Sequence, residues 1–132
     1  MEELAIRYLN GEDSVTIELV NELLSDIKNG SCRTAYLSLD KYGEEDFLSL
    51  DIENGWAALA YNTWDEDGVA HMFQPINPVF KESDELAPVF IGGQTEVRKR
   101  NALNDTELIA ESVLLFAKTG KLNPEIKWEE AD

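Results

Sequence analysis

The sequence is poor in the residues that covalent and catalytic chemistry needs. It holds one cysteine, Cys32, in 132 residues. A single thiol closes no internal disulfide, so nothing in it points to an oxidising compartment. A nucleophilic thiol wants an activating base, and the one histidine, His71, lies far along the chain. Cys32 therefore reads as a small, half-buried strand residue, and His71 as a strand histidine beside Met72 and Phe73. No GxSxG, HExxH, CxxC or phosphate-loop pattern occurs. Gly92-Gly93-Gln94-Thr95 lacks the lysine of a phosphate loop and reads as a turn. Asp65-Glu66-Asp67-Gly68 offers hard oxygen ligands without the spacing or the closing glutamate of an EF-hand, so it too reads as a solvated turn. The expectation is a protein that is not an enzyme and uses no cofactor or metal.

Long apolar runs are missing as well. No stretch approaches the ~18 apolar residues of a membrane helix. The start, MEELAIRYLN, lacks a basic segment followed by an apolar one, so no signal peptide is read there and the expected location is cytoplasmic. Basic residues are scarce: 11 lysines and arginines face 27 acids, for a net charge of −16. Such a field repels nucleic acid and anionic membrane, because phosphate binding needs clustered cations. It favours a basic protein partner and speeds its arrival. The short run Arg98-Lys99-Arg100 is too small to reverse this and is expected to pair with nearby acids.

What is present suits one folded domain spanning residues 1–132. A chain of this mass buries about two-thirds of its extended surface on folding, and 43% of its residues are hydrophobic. Leu4–Leu9 reads as a first strand ended by Asn10-Gly11. Ile17, Val20, Leu23, Leu24 and Ile27 recur at helical spacing, with Ser14 or Thr16 as cap and Gly30 as stop. Thr34–Leu39, Phe47–Ile52, Trp56–Tyr61 and Val69–Phe73 read as a four-strand meander. Its turns fall at Asp40–Asp46, at Asn54-Gly55 and at Asp65–Gly68. Gln74–Gln94, with three prolines and a glycine pair, reads as irregular chain with a short strand at Val89–Ile91. Glu96–Arg100 reads as another short strand. Asn104 and Glu107 fit a capping box for a second helix carrying Leu108, Ala110, Val113, Leu114 and Ala117, stopped by Gly120. Pro124–Trp128 reads as a short extended tail anchored by its aromatic, with residues 129–132 frayed. The predicted class is α+β: an antiparallel meander sheet with two main helices packed on one face.

The acids are unevenly spread. Nine lie between Asp40 and Asp67 against one base, Lys41, and Tyr42, Phe47, Trp56, Tyr61 and Trp64 are interleaved with them. A meander brings the Asp40–Asp46 and Asp65–Gly68 turns to one end of the sheet. Aromatic anchors among steering carboxylates make a fast, tight interface. The candidate partner-binding residues are therefore Tyr42, Glu44, Glu45, Asp46, Trp64, Asp65, Glu66 and Asp67.

The C-terminal part carries a family likeness. Glu107-Leu108-Ile109-Ala110 through Phe116-Ala117-Lys118-Thr119-Gly120, then Pro124-Glu125-Ile126-Lys127-Trp128, resembles the closing helix, stop and Pro-to-Trp tail of the type-one immunity family of bacterial polymorphic toxin systems. Gly92-Gly93-Gln94-Thr95-Glu96 is similar to a Gly-Gly-Thr-Glu segment of that family, with Gln94 inserted. The spacer from Gly120 to Pro124 is slightly longer than the family's form. The resemblance implies an α+β domain that neutralises a cognate toxin, often a deaminase acting on nucleic acid. It would form a one-to-one complex that blocks the toxin's active site. Phe116 and Trp128 are read as core anchors, so the resemblance does not place the interface. Two other readings fit the same composition: an acidic adaptor or secretion-chaperone module, and a small-molecule-binding domain using the Gln74–Gln94 loop as a lid.

Overall fold

A computed structural model describes residues 4–10, 15–40 and 46–131. Helix α1 spans Ile17–Asn29. Thr16 Oγ1 accepts the Leu19 N–H at 3.3 Å, supplying a partner to one of the free first-turn donors. Val20, Leu23, Leu24 and Ile27 form its buried stripe, and Gly30, at φ 69°, ends it in the left-handed region. Helix α2 spans Thr106–Thr119. Its cap is Asp105 rather than Asn104: Asp105 Oδ1 accepts the N–H groups of Glu107 and Leu108 at 3.1 and 3.2 Å. Asn104 Oδ1 is turned to Asn77 instead, accepting its Nδ2 at 3.3 Å. Gly120 closes α2 at φ 72°, and a Cβ there would stand 2.8 Å from the Leu39 side chain. The left-handed backbone angle is what favours glycine at that stop, since the Leu39 methyl end can move aside.

The main sheet has six antiparallel strands in the order β1-β2-β3-β4-β5-β8. They are β1 (Tyr8–Leu9), β2 (Arg33–Ser38), β3 (Phe47–Glu53), β4 (Trp56–Trp64), β5 (Ala70–Ile76) and β8 (Lys127–Glu130). The meander β2–β5 is as the sequence predicts. Asn54 and Gly55, at φ 55° and 78°, are the two positive-φ residues of the β3–β4 hairpin turn. Strands β6 (Leu86–Ile91) and β7 (Thr95–Arg98) form a separate two-stranded hairpin. A 3₁₀ turn at Lys99–Asn101 leads from it toward α2.

Strand alternation sorts the sheet into two sides. Ala35, Leu37, Leu48, Leu50, Ile52, Ala57 and Leu59 face the helices and form the main core with Ile109, Val113 and Phe116. The second side takes the β6–β7 hairpin, whose Ala87, Val89 and Val97 pack with Ala58, Ala102, Trp56 and Ile91. The fold is α+β with both helices on one face of the sheet, as expected. No helix among the described residues is long and apolar enough to cross a membrane.

Several expectations give way, each for a local reason. The Leu4–Leu9 strand shrinks to Tyr8–Leu9 because the Ala5 N–H donates to the Ala117 carbonyl at 2.9 Å. The start of the segment thus satisfies an open carbonyl at the end of α2 rather than a sheet edge. Pro75 lies inside β5. Its carbonyl, and so its donor-less nitrogen, faces away from β8 toward Asn101, whose Nδ2 donates to Pro75 O at 3.1 Å. Strand therefore takes up the two parts 74–76 and Leu86–Ile91 of the Gln74–Gln94 stretch, and the irregular chain between them is tied down at Asn77. The Asn77 N–H donates to Arg100 O at 2.8 Å and its Nδ2 to Ala102 O at 2.9 Å. The tail does not fray at residue 129: Glu129 and Glu130 pair with Gln74 and Phe73 in the sheet. Cys32 is exposed just before β2 rather than half-buried within a strand. Phe116 is fully buried, and Trp128 is half-buried against the main core, as anchors should be.

Candidate functional site

The second side of the sheet is only half covered. Near the β3–β4 turn it is roofed by the β6–β7 hairpin, which two polar ties fasten. Asn54 Nδ2 donates to Pro88 O at 3.0 Å, and the Gly92 N–H donates to Asp51 Oδ2 at 3.1 Å. Beneath that roof Trp56 meets Phe80 with ring centroids 5.4 Å apart. Lys99 Nζ stands 5.8 Å from the Trp56 ring centre and 5.5 Å from that of Phe80. It is held there by Glu85 at 2.8 Å, whose carboxyl that hydrogen bond keeps below its ordinary pKa. Arg100 approaches Asp84 at 3.9 Å. The basic run thus pairs at Lys99 and Arg100 with nearby acids, as predicted.

Among the described residues, none roofs the opposite half of the same side. The ladder pairs Tyr36 with Ser49, Phe47 with Asn62 and Trp64 with Ala70, so all six side chains share this side. Tyr36, Phe47 and Trp64 form a diagonal row across β2, β3 and β4. Ring centroids are 6.3 Å apart for Tyr36–Phe47 and 6.0 Å for Phe47–Trp64. Tyr36 is 44% and Trp64 40% exposed. For side chains of this size, contiguous in space, that is an apolar strip open to solvent.

The sequence-derived candidates divide around this strip. Trp64 belongs to it. Asp46 and Asp65 each sit one residue from a strip aromatic and therefore project to the other side. Asp46 accepts hydrogen bonds from Thr63 Oγ1 at 2.7 Å and Tyr61 Oη at 3.2 Å. Burial, reinforced by the Asp46 charge and hydrogen bond, raises the Tyr61 pKa above its ordinary value. Asp65 Oδ1 accepts the Asp67 and Val69 N–H groups, both at 2.9 Å, which shapes the β4–β5 turn. Its Oδ2 lies 2.9 Å from His71 Nε2, while His71 Nδ1 lies 3.2 Å from Glu130 Oε1. Held first by Asp65 and then by Glu130, His71 has a raised pKa; the His71 bond leads the causes that lower that of Asp65. Glu66 and Asp67 are exposed in the turn directly after Trp64. Tyr42, Glu44 and Glu45 lie outside the described residues.

Tyr36 was not among the sequence candidates. Its signal was the alternation in Thr34-Ala35-Tyr36-Leu37-Ser38, which puts Tyr36 opposite the buried Ala35 and Leu37. The His71–Glu130 pair was invisible because 59 residues separate its members, and only the β5–β8 pairing joins them. An apolar cavity lined by Ile76, Leu103, Leu108 and Ile126 among others has a volume of about 220 Å³. That is below the roughly 300–1,000 Å³ of ordinary small-molecule sites. No protein-family profile matches the sequence, no curated protein matches it, and no solved structure matches the fold.

Proposed function

We propose that the protein is an immunity protein: it binds a cognate toxin domain one to one and neutralises it by covering the toxin's active site. The observation that carries the reading is the open Tyr36–Phe47–Trp64 strip on a chain of net charge −16. An aromatic row left in water is a surface that gains by being covered. The charge draws a basic partner to it and rejects acidic ones. A toxin that engages nucleic acid is basic for the same reason that this chain cannot bind nucleic acid. The likeness of α2 and the Pro124–Trp128 tail to the type-one immunity family supports the same reading.

Within it, Trp64 anchors, with Tyr36 and Phe47 beside it, and Glu66 and Asp67 steer. Tyr42, Glu44 and Glu45 adjoin the strip in sequence and belong to the proposed surface. Asp46 and Asp65 serve it indirectly, by fixing the strand ends from which Phe47 and Trp64 project.

The test is co-expression with the protein encoded immediately upstream, carrying an affinity tag, in cells that the neighbour alone would harm. A stoichiometric complex that survives dilution and protects the cells supports immunity. A harmless neighbour with no complex overturns it.

A further inference from the structure

The two halves of the sheet's second side carry similar parts, and one part is missing among the described residues of the open half. Under the hairpin an aromatic pair, Trp56 and Phe80, receives the ammonium of Lys99, and Glu85 holds that ammonium in place. The open half has the aromatic row, and the exposed acids Glu66 and Asp67 follow two and three residues after Trp64 in the β4–β5 turn. Ladder register brings Tyr36, Ser38, Phe47, Ser49, Ala60, Asn62, Trp64, Ala70 and Met72 to this half, and among these described residues there is no cation. Ring faces are negative and attract a cation most strongly when the ring is tryptophan.

We propose that the partner supplies the missing cation as an arginine, its guanidinium laid on the Trp64 ring and its hydrocarbon stem along Phe47 and Tyr36. This rests on the reading of that side as the partner surface and names what the surface recognises. Arginine fits better than lysine because a planar, weakly hydrated guanidinium stacks on an indole while its edge still donates to carboxylates. Glu66 and Asp67 are the acceptors. Asp65 is not, since its two oxygens are taken by His71 and by the turn's own N–H groups. Charge complementarity selects the occupant: a chain of net charge −16 with an unroofed aromatic row favours a basic segment over an apolar one.

The experiment is an NMR titration of the whole ¹⁵N-labelled protein with a blocked Gly-Arg-Gly-Arg-Gly peptide. Parallel titrations use the same peptide with lysine and with citrulline, the neutral isostere of arginine. The chain has three tryptophans, Trp56, Trp64 and Trp128, so three indole N–H signals report separately. The Trp64 signal should shift saturably with the arginine peptide while those of Trp56 and Trp128 hold still. Citrulline should weaken binding at least about threefold, the size of an exposed cation–ring contact, and lysine should fall between. Trp64→Leu keeps an apolar side chain without a ring and should abolish the preference for arginine over citrulline.

Equal binding of the citrulline peptide, or shifts spread over the acidic surface with Trp64 unmoved, overturns the proposal. The outcome is separable from the immunity reading. A toxin complex whose affinity is indifferent to Trp64→Leu leaves immunity standing and removes the arginine contact. A saturable arginine site at Trp64 with no toxin complex does the reverse.

Discussion

The covered and open halves of the sheet's second side are made from the same strands, β3 and β4, yet they are finished differently. At the β3–β4 turn, Trp56 and Ala58 are closed over by the hairpin, and the charge that the Trp56 ring attracts is supplied internally by Lys99. At the far end Phe47 and Trp64, with Tyr36 from β2, stay in solvent. The roofed half contributes to the fold's stability. The unroofed half is the surface proposed above for a partner. On that proposal, a sheet side completed at one end and open at the other separates stability from recognition along a single pair of strands.

That separation can be broken, and the most sensitive attempt is in the roof. Val89 is 1% exposed under the hairpin. Val89→Ala should cost about 1–3 kcal/mol in urea unfolding, through lost packing and a residual cavity. Amide exchange should quicken in β6 and β7 before it does in the meander. If exchange quickens everywhere equally, the hairpin is not a separate layer.

Next in size is the open half. Trp64→Ala should raise the dissociation rate of the partner complex about tenfold, equivalent to ~1.4 kcal/mol, while changing unfolding free energy by less than Val89→Ala does. The reverse order would make the open strip part of the core. A smaller effect is expected for Lys99→Met. It removes the half-buried cation and its pair with exposed Glu85 and should lower stability by less than Val89→Ala does, without changing partner affinity. A loss of affinity there would extend the recognition surface across both halves.

The smallest effect concerns the clamp at the β4–β5 turn. His71 lies between Asp65 and Glu130, and its pKa is raised above the ordinary 6.5. Its contribution is fully present below about pH 6.5 and is lost as pH climbs through the raised value. The Asp65 carboxyl is lowered from 3.8, so its contribution holds above 3.8 and is lost as pH falls through the lowered value. The clamp is strongest between those limits. As the sole histidine, His71 gives one imidazole resonance to titrate. A midpoint at or below 6.5 would show that the clamp does not form. His71→Gln should flatten the dependence of unfolding on pH above 6.5 and leave partner binding at the strip unchanged.

Much of the fold was legible in order of occurrence. The helices announced themselves through 3.6-residue stripes and glycine stops, and the meander through alternation and Asn54-Gly55. Those signals are local, because backbone geometry and one buried face impose them residue by residue. The candidate site was half legible. Acid-rich turns and interleaved aromatics pointed to the end of the sheet where the open aromatic row lies, and to Trp64. Alternation around Asp46 and Asp65 was not carried through, so carboxylates turned to the opposite side were grouped with the aromatic.

By itself, then, the sequence determined the two helices and their stops, the four central strands, and the net charge of −16. Tertiary structure decided the rest: that Pro75 could sit in a strand because its nitrogen faces Asn101 rather than β8, and that Glu130 reaches His71. It also set where the β6–β7 hairpin lies, and so which half of the sheet it leaves bare. These depend on contacts between residues far apart in the chain, and no local periodicity encodes which distant surface will meet which.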